Sequence, residues 1–546
     1  MKKFTFFLTA VLICSNLYAQ LPPDPVLQFG ETWTNLWSVS YDYQTNGSIR
    51  YIVQDPANAS NLCTILMAQQ DSTTGAGTQR YVYYSYSTDH GVTWAANVLD
   101  VSANWGFPDM SLSNGTPVIA THRFNVISNV FRDLQFGAFA FELVPNQPTN
   151  VIANWPHLTG SSNGNIVMAG SLNASPIFSG YYATYNGTSW VGWNPLPLLS
   201  GPSGNYSVES GANGVVGIFG TNYDGNGALE YYKSTDNGVT FDNGTEIFNY
   251  LIEGGDTLFA NIVGGLQAVY VDEVPHLTFS AYNISATVFP NANTFAYIKP
   301  KILHWSPATG ITQVAGKFNI PNLADTITTL LMPPVAQPSV SKTTNGKLIC
   351  SFTTFINGNT QVVDNGDVLN AGEIFASISS DNGVTWSTPA NITNSPGVEE
   401  KHSSLINNAV TDSINIFYVR DMKAGGWVNF AGWGKAPVYG IFKTLNLVGI
   451  NQINSEVTTY ELSQNYPNPF NPTTNIKFSI PKSNYTTLIV YDAVGREITR
   501  LIDQRLNAGS YKYDFSGDQF KLSSGVYFYK LISGDFIETK RMMLIK

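Results

Sequence analysis

The chain has 546 residues, of which 12% are charged and 13% aromatic, and its formal charge is −10. That length exceeds one small module and leaves room for a large core with an appended domain. So few charges beside so many aromatics exclude a disordered chain or a coiled coil, and the acidic balance excludes a nucleic-acid surface built on a basic face.

Taken from the N-terminus, Lys2 and Lys3 precede an almost wholly apolar run, Phe4 to Cys14, and the small residue Ala19 stands before Gln20. The pattern predicts a secretory signal peptide over 1–19, because the apolar run is too short to cross a bilayer. Ile13 is too large for lipoprotein cleavage before Cys14, so no lipid anchor is expected. No later stretch approaches the ~20 apolar residues of a transmembrane segment. Cys63 and Cys350 are the cysteines left after cleavage and are expected as two buried thiols. From Asn451 onward basic residues outnumber acidic ones by 11 to 9, while the stretch before it is strongly acidic. The shift in composition predicts two domains.

The body is a series of short runs rich in Val, Ile, Tyr, Phe and Thr between turn residues: Cys63–Gln69, Tyr81–Tyr86, Pro117–Thr121, Val215–Gly220, Leu229–Lys233, His276–Tyr282, Leu348–Phe355, Glu373–Ser379 and Ile414–Val419. These are strand signals. An octapeptide follows three of them. It reads Ser-Thr-Asp-His-Gly-Val-Thr-Trp at 87–94, Ser-Thr-Asp-Asn-Gly-Val-Thr-Phe at 234–241 and Ser-Ser-Asp-Asn-Gly-Val-Thr-Trp at 379–386. The spacing predicts a hairpin turn: the carboxylate of Asp89, Asp236 or Asp381 accepts from backbone N–H groups further along the turn. Gly91, Gly238 and Gly383 supply a positive φ, and Trp94, Phe241 and Trp386 cover the turn. These residues resemble the Asp-box of sialidases and related β-propellers, and the resemblance implies an all-β propeller with the boxes in structural roles.

Weaker echoes at 183–190 and 306–312, and further hairpins expected near Pro145 and over Tyr439–Leu445, place turns near 91, 145, 187, 238, 310, 383 and 442. Their spacing suits four-stranded blades, so 20–449 reads as a seven-bladed β-propeller, with six blades as the alternative because sialidases have six. The last blade lacks an outer strand after Leu445, and the segment Glu31–Tyr43 is placed to supply it and close the ring.

Residues 450–460 are polar and read as a linker. After them come Tyr466-Pro467-Asn468-Pro469-Phe470-Asn471-Pro472, a Val-Gly-Arg turn with Gly495, a Ser-Ser-Gly-Val-Tyr run with Gly525, and a final stretch from Lys540 to Lys546. Propensity predicts a small Ig-like β-sandwich of about seven strands. The run 461–546 resembles the type A sorting domain of the Bacteroidota type IX secretion system. The resemblance implies export to the cell surface or medium, the secretion machinery as a partner, and removal of this domain in transit, the product being released or attached to lipopolysaccharide.

The sialidase resemblance would imply three arginines on a substrate carboxylate, a Tyr–Glu nucleophile pair and an Asp acid/base. The body holds only Arg50, Arg80, Arg123, Arg132 and Arg420, without an Arg-Ile-Pro tripeptide near its start. No G-x-S-x-G, H-E-x-x-H or Walker loop occurs, the six histidines lack metal-ligand spacing, and the acidic loop from Asp364 to Glu373 fails the EF-hand spacing. No cofactor or metal is therefore expected. If a ligand binds, it is expected at the channel mouth, where Asp109, Glu209, Gln337 and His402 begin innermost strands and Arg123 and Arg420 lie near. Trp155 and Trp193 either stack on sugars or pack between blades. The reading is a secreted or surface propeller binding an extracellular glycan or protein, with a glycoside hydrolase or lyase as the alternative.

Overall fold

The computed structural model describes residues 33–546 except 40, 43–48, 70–79, 101–104, 124–126, 146–152, 173–178, 201–204, 222–226, 261–263, 286–293, 321, 329–331, 345, 407–412, 426–435, 437, 447–449, 455–456, 483, 507, 519 and 521. The expected signal peptide lies outside these residues. Among the described residues every regular element is a strand, all strand pairing within the sheets is antiparallel, and no helix is long and apolar enough to cross a membrane.

The body is a succession of sheets built alike. Each starts with an inner strand and runs outward through its neighbours in chain order. The first begins with Ile52–Gln54, the second with Gly106–Ser113, the third with Ala153–Gly160 and the fourth with Tyr206–Ser210. The fifth, sixth and seventh begin with Leu266–Val271, Val335–Lys342 and Glu399–Leu405. The seventh continues through Ser413–Asp421 and Val438–Asn446, and its outer edge is filled by Trp33–Val39 from the N-terminal segment, in the register Trp33 to Lys443. Position 442, expected as a turn, is mid-strand here. The N-terminal strand supplies the edge, so no hairpin is needed. The turn expected near Pro145 falls instead at 134–140, where Asp133 Oδ1 accepts from Ala140 N at 3.1 Å. The acidic loop at 364–367 is the tip of a hairpin between Thr360–Val362 and Val368–Asn370.

Apolar residues alternate between two neighbours. In Ile166–Leu172, Ile166 and Met168 pack with Val118 and Val130 of the second sheet, while Val167 and Ala169 pack with Val216 and Ile218 of the fourth. In Leu62–Gln69, Leu62 and Leu66 meet Phe417 and Phe442 of the seventh sheet, and Cys63 and Ile65 meet Met110 and Ile119 of the second. The core is thus a set of apolar slabs, one between each pair of successive sheets, and the last pair joins the seventh sheet back to the first. Both faces of a middle strand are covered, which is why Leu348–Thr354 and Glu373–Ser379 are buried throughout. Each apolar side chain taken from water contributes roughly 1.5–3 kcal/mol before chain entropy is counted.

The three octapeptides share one geometry. Asp89 Oδ1 accepts from Thr93 N at 2.9 Å and from Ser87 Oγ at 2.8 Å, Asp89 Oδ2 accepts from Thr93 Oγ1 at 2.6 Å, and Ser87 Oγ accepts from Gly91 N at 2.8 Å. The same bonds recur around Asp236 and Asp381. Hydrogen bonds from Thr93 and Ser87 hold the Asp89 carboxyl down at about 2. The glycines do more than accept a positive φ. A Cβ on Gly91 would lie 2.2 Å from Phe442, one on Gly238 2.1 Å from Val167, and one on Gly383 2.1 Å from His304, each on the preceding sheet. The aromatic residues also reach that sheet: Trp94 meets Phe442 at 5.6 Å, Phe241 meets Tyr182 at 4.7 Å and Trp386 meets His304 at 5.4 Å. The echo at Gly187 has open space around its Cβ direction and lacks this contact.

The third octapeptide sits on a chain of buried hydrogen bonds. Thr312 Oγ1 donates to Gly383 O at 2.7 Å, so it accepts from His304 Nδ1 at 3.0 Å. His304 Nε2 is then the bare nitrogen and accepts from His276 Nδ1 at 3.0 Å. Burial pushes His276 down to about 4, and burial with the neighbouring His276 pushes His304 down to about 3.

The C-terminal unit has two facing four-stranded sheets. One holds Ile450–Asn454, Gly509–Ser516, Thr473–Ile480 and Glu461–Leu462, and the other Glu497–Leu506, Asn484–Tyr491, Gly525–Ser533 and Phe536–Leu544. They share a core that includes Ile476, Phe478, Tyr513, Leu488, Val490 and Leu531. Residues 450–454, expected in the linker, instead pair with Gly509–Ser516 as an edge strand, because that sheet offers them free backbone groups.

Replacing Gly383 by Ala should cost about 3 kcal/mol or more, since a strained φ and an overlap with His304 add, whereas Gly366→Ala, with open space, should cost only about 1 kcal/mol. Chemical denaturation of the two variants checks this, and equal losses would refute it. The histidines bind protons in the unfolded chain below about pH 6.5 but not in the fold until much lower. The melting temperature should therefore fall as pH drops from about 6.5 toward 4, and His276→Gln/His304→Gln should show a shallower fall.

Candidate site at the start of the inner strands

Four inner strands carry the same irregularity near their first residues. The register slips between Gly106 and Asp109, Asn154 and His157, Ala336 and Ser339, and Lys401 and Ser404. Within each slip one non-glycine residue has a positive φ: Phe107 at 49°, Trp155 at 51°, Gln337 at 54° and His402 at 56°. Such values in bulky residues are strained, and a bulge re-aims the side chains beside it. Pro108, Pro156 and Pro338 follow three of them, as suits backbone that leaves the ladder.

Two residues after Phe107, Gln337 and His402 stand Asp109, Ser339 and Ser404, each tying one inner strand to the next, and Gln267 and Ser207 do the same from strands without a bulge. Ser404 Oγ accepts from Tyr51 N at 3.1 Å, Ser339 Oγ from Leu405 N at 2.9 Å, Gln267 Oε1 from Val340 N at 3.1 Å and Ser207 Oγ from Ala268 N at 3.0 Å. Asp109 serves two neighbours: Oδ1 accepts from Arg50 N at 2.9 Å and Oδ2 from Leu158 N at 3.0 Å. Between the third and fourth sheets Ser210 Oγ donates to Gly160 O at 2.8 Å. The links pass through all the inner strands and return to the first.

A buried ion pair crosses the space they enclose. Arg50, beside the first sheet, pairs through Nη2 with Glu209 of the fourth and donates from Nη1 to Met110 O at 3.1 Å. His157 Nδ1 lies 3.5 Å from Asp109 Oδ2. Burial would raise the Asp109 carboxyl, but His157 and Arg50 outweigh it and hold the group below the usual carboxylate range.

A second charged group sits where the seventh sheet begins. Lys401 Nζ lies 2.9 Å from Glu399 and 3.6 Å from Asp421, all three buried. Arg420 pairs with Glu400 at 2.7 Å. Burial raises the Glu400 carboxyl despite Arg420 and the Thr393 and Ser395 hydroxyls, and Glu400 Oε2 has no hydrogen-bond partner among the described residues. Gln337 Oε1 joins this group to the sixth sheet by accepting from His402 N at 3.0 Å.

Of the residues singled out from the sequence, Asp109 and Glu209 meet at Arg50, Arg420 pairs with Glu400, and the His402 ring lies 6.0 Å from Tyr51. Arg123 is exposed at the end of Thr116–Arg123. Trp193 packs with Trp190 against the slab between the second and third sheets. Trp155 N donates to His122 Nδ1 at 3.2 Å, and His122 stacks on Phe107 at 4.9 Å. Sequence reasoning missed Arg50 as the cross-ring cation, together with Glu399, Glu400, Lys401 and Asp421. The recurrence Phe-Pro-Asp, Trp-Pro-His, Gln-Pro-Ser was a usable signal for the bulges. Arg50 had none, because its partner lies in a distant sheet. No group of three metal-capable side chains occurs among the described residues.

In the C-terminal unit the motifs quoted from both ends meet. Phe470 is buried, its N–H donates to Met543 O at 2.9 Å and its carbonyl accepts from Ile545 N at 2.9 Å. Asn468 Oδ1 accepts from Met543 N at 2.9 Å, Thr474 Oγ1 donates to Pro467 O at 2.7 Å, and Gly517 N donates to Pro472 O. Pro469 and Asn471 flank Phe470 in the same segment. Gly495 closes the Asp492–Arg496 turn at φ 82°, and Gly525 opens a strand opposite Leu544. Lys540 pairs with Glu538, and Lys546 with Asp518 at 2.6 Å.

Removing one partner of the cross-ring pair leaves a buried charge, so Glu209→Ala should destabilise the protein by about 3–5 kcal/mol. Arg50→Met/Glu209→Met should recover most of that loss. Denaturation midpoints of the single and double variants measure the difference; a double variant as unstable as the single one would contradict it.

Residues 464–546 match the family described as a secretion system C-terminal sorting domain. No curated protein matches the chain. Among solved structures, the chain resembles a fungal alcohol oxidase of the AA5 family (11% identity, TM-score 0.41, covering 94% of this chain and 99% of that one) and the polysaccharide lyase Uly1 (10%, 0.43, 75% and 92%). It also resembles the NanB sialidase of Streptococcus pneumoniae (11%, 0.37, 76% and 71%). These likenesses are too distant to bear on activity. The sorting domain marks the chain for type IX secretion to the cell surface or extracellular space.

Proposed function

We propose that the body is a seven-bladed β-propeller, closed by its N-terminal strand, that binds an extracellular glycan or protein without turnover after delivery by the type IX machinery. On this reading 1–19 is a removed signal peptide, the three octapeptides are structural Asp-boxes, and the C-terminal unit is an Ig-like sandwich recognised during export. The observation that carries the binding assignment is the commitment of Asp109 and Glu209, both buried, the second near the end of its inner strand rather than at its start. Both Asp109 oxygens accept backbone N–H groups, and Glu209 pairs with Arg50. A hydrolase needs one carboxyl to give up a proton and another free to attack or to activate water, whereas these two hold strands together. A binder needs a rigid rim, which the linked inner strands supply.

One observation favours the hydrolase reading. Glu400 is buried with a raised carboxyl and an unbonded oxygen, the condition of a proton donor. A glycan array and a panel of chromogenic glycosides, applied to the purified protein, separate the two. The expected result is retention of a glycan with no hydrolysis. Hydrolysis abolished by Glu400→Gln, with the melting temperature unchanged, would replace binding with catalysis.

A further inference from the structure

The fifth sheet differs from its neighbours at the end where inner strands begin. Val274–Ile284 and Thr294–Ser306 run past the ring there, the hairpin Leu251–Glu253/Asp256–Ala260 joins the first of them through Phe259 and Tyr282, and Thr326–Thr328 pairs with the start of the second. Between this hairpin and residues 317–325 lies a cleft of about 230 Å³.

Its walls alternate cations and carboxylates. Lys299 Nζ lies 3.0 Å from Asp256 and donates to Glu253 O, Lys301 Nζ lies 2.9 Å from Glu253 and 3.1 Å from Gln313 Oε1, and Lys317 pairs with Asp325. Three lysines and two acids line the cleft, and Asp256 beside it pairs with Lys299, so each lysine has a carboxylate partner and the site presents closely spaced donors and acceptors but little net charge. Phe318 stands at its edge. The residue is 56% exposed although Lys301 Nζ lies over its ring, 5.2 Å from the centroid. Nor is it on a loose tip: Asn319 Oδ1 accepts from Gly316 N at 3.1 Å, Asn319 Nδ2 donates to Val314 O at 2.9 Å, and Ile320 N donates to Gly316 O at 2.8 Å. Gly316 lets Lys301 and Phe318 approach, since a Cβ there would lie 3.3 Å from each.

An exposed apolar ring held rigid beside paired donors and acceptors fits one ligand chemistry. The C–H face of a pyranose covers an aromatic ring, and vicinal hydroxyls both give and take hydrogen bonds. An anionic sugar would have to be drawn by cations that the acids already neutralise. We propose that this cleft binds a neutral saccharide unit, with Phe318 as the stacking surface and Lys299, Lys301, Glu253 and Asp325 as its hydroxyl partners. The proposal rests on the reading of the protein as a glycan binder and gives it a place and a ligand class.

The test applies the full chain to an array of neutral gluco-, galacto- and manno-oligosaccharides and of uronate oligosaccharides. The strongest binder is then titrated against wild type, Phe318→Ala and Phe318→Tyr. The expected result is binding of a neutral oligosaccharide, weakened about tenfold by Phe318→Ala and kept by Phe318→Tyr, with unchanged melting temperatures. Glycan binding unaffected by Phe318→Ala would overturn the cleft while leaving glycan binding in place. A preference for uronates would overturn the neutral class, and no binding on the array would remove the cleft together with the glycan reading.

Discussion

The body depends on a lateral hydrogen bond repeated from sheet to sheet: at every seam but that between the third and fourth sheets, where Ser210 donates to a carbonyl, a polar side chain on one inner strand accepts the backbone N–H of the next. Inner strands of neighbouring sheets do not form a ladder with each other, so without these acceptors their N–H groups would be buried and unmatched at a cost of about 1–3 kcal/mol each. Ser404, Ser339, Gln267, Ser207 and Asp109 discharge that obligation. Asp109 has to be a carboxylate because it serves two strands at once and faces Arg50 and His157. The polar lining of the enclosed space therefore follows from backbone chemistry before any ligand is considered, and polarity there is weak evidence of a catalytic site.

The octapeptides hold the opposite end by a different device. Their Asp, Ser and Thr close the turn on itself, and the close-packed glycine lets that turn sit flush on the preceding sheet. Turn chemistry and seam packing are thus one feature. This explains why the repeat stays near-perfect where Gly91, Gly238 and Gly383 touch Phe442, Val167 and His304, and decays at Gly187, where nothing approaches.

The sequence was most readable in the middle strands. Leu62–Gln69, Leu348–Thr354 and Glu373–Ser379 are apolar on both faces because both faces meet another sheet. Inner strands were harder to see: Gly106–Ser113 and Val335–Lys342 contain proline and polar residues and resemble loops. They were found only as the starting points of Asp109 and Gln337. The edge strand Trp33–Val39 was expected from a deficit, the missing partner after Leu445, and it pairs as that deficit requires. The partnership of Arg50 with Glu209 was not legible, since it joins opposite sides of the ring and leaves no local pattern.

The two ends therefore differ in freedom. At the octapeptide end, turns are bonded and seated on a neighbour, so an inserted residue would break a seam. At the other end, the connection between second and third strands of the sixth sheet carries an extra hairpin, Thr360–Val362/Val368–Asn370, and the fifth sheet grows its own cleft. A ligand surface can diverge where structure is added without disturbing a seam between sheets, and the fifth and sixth sheets carry such additions at the end where the inner strands begin, each with a small core of its own.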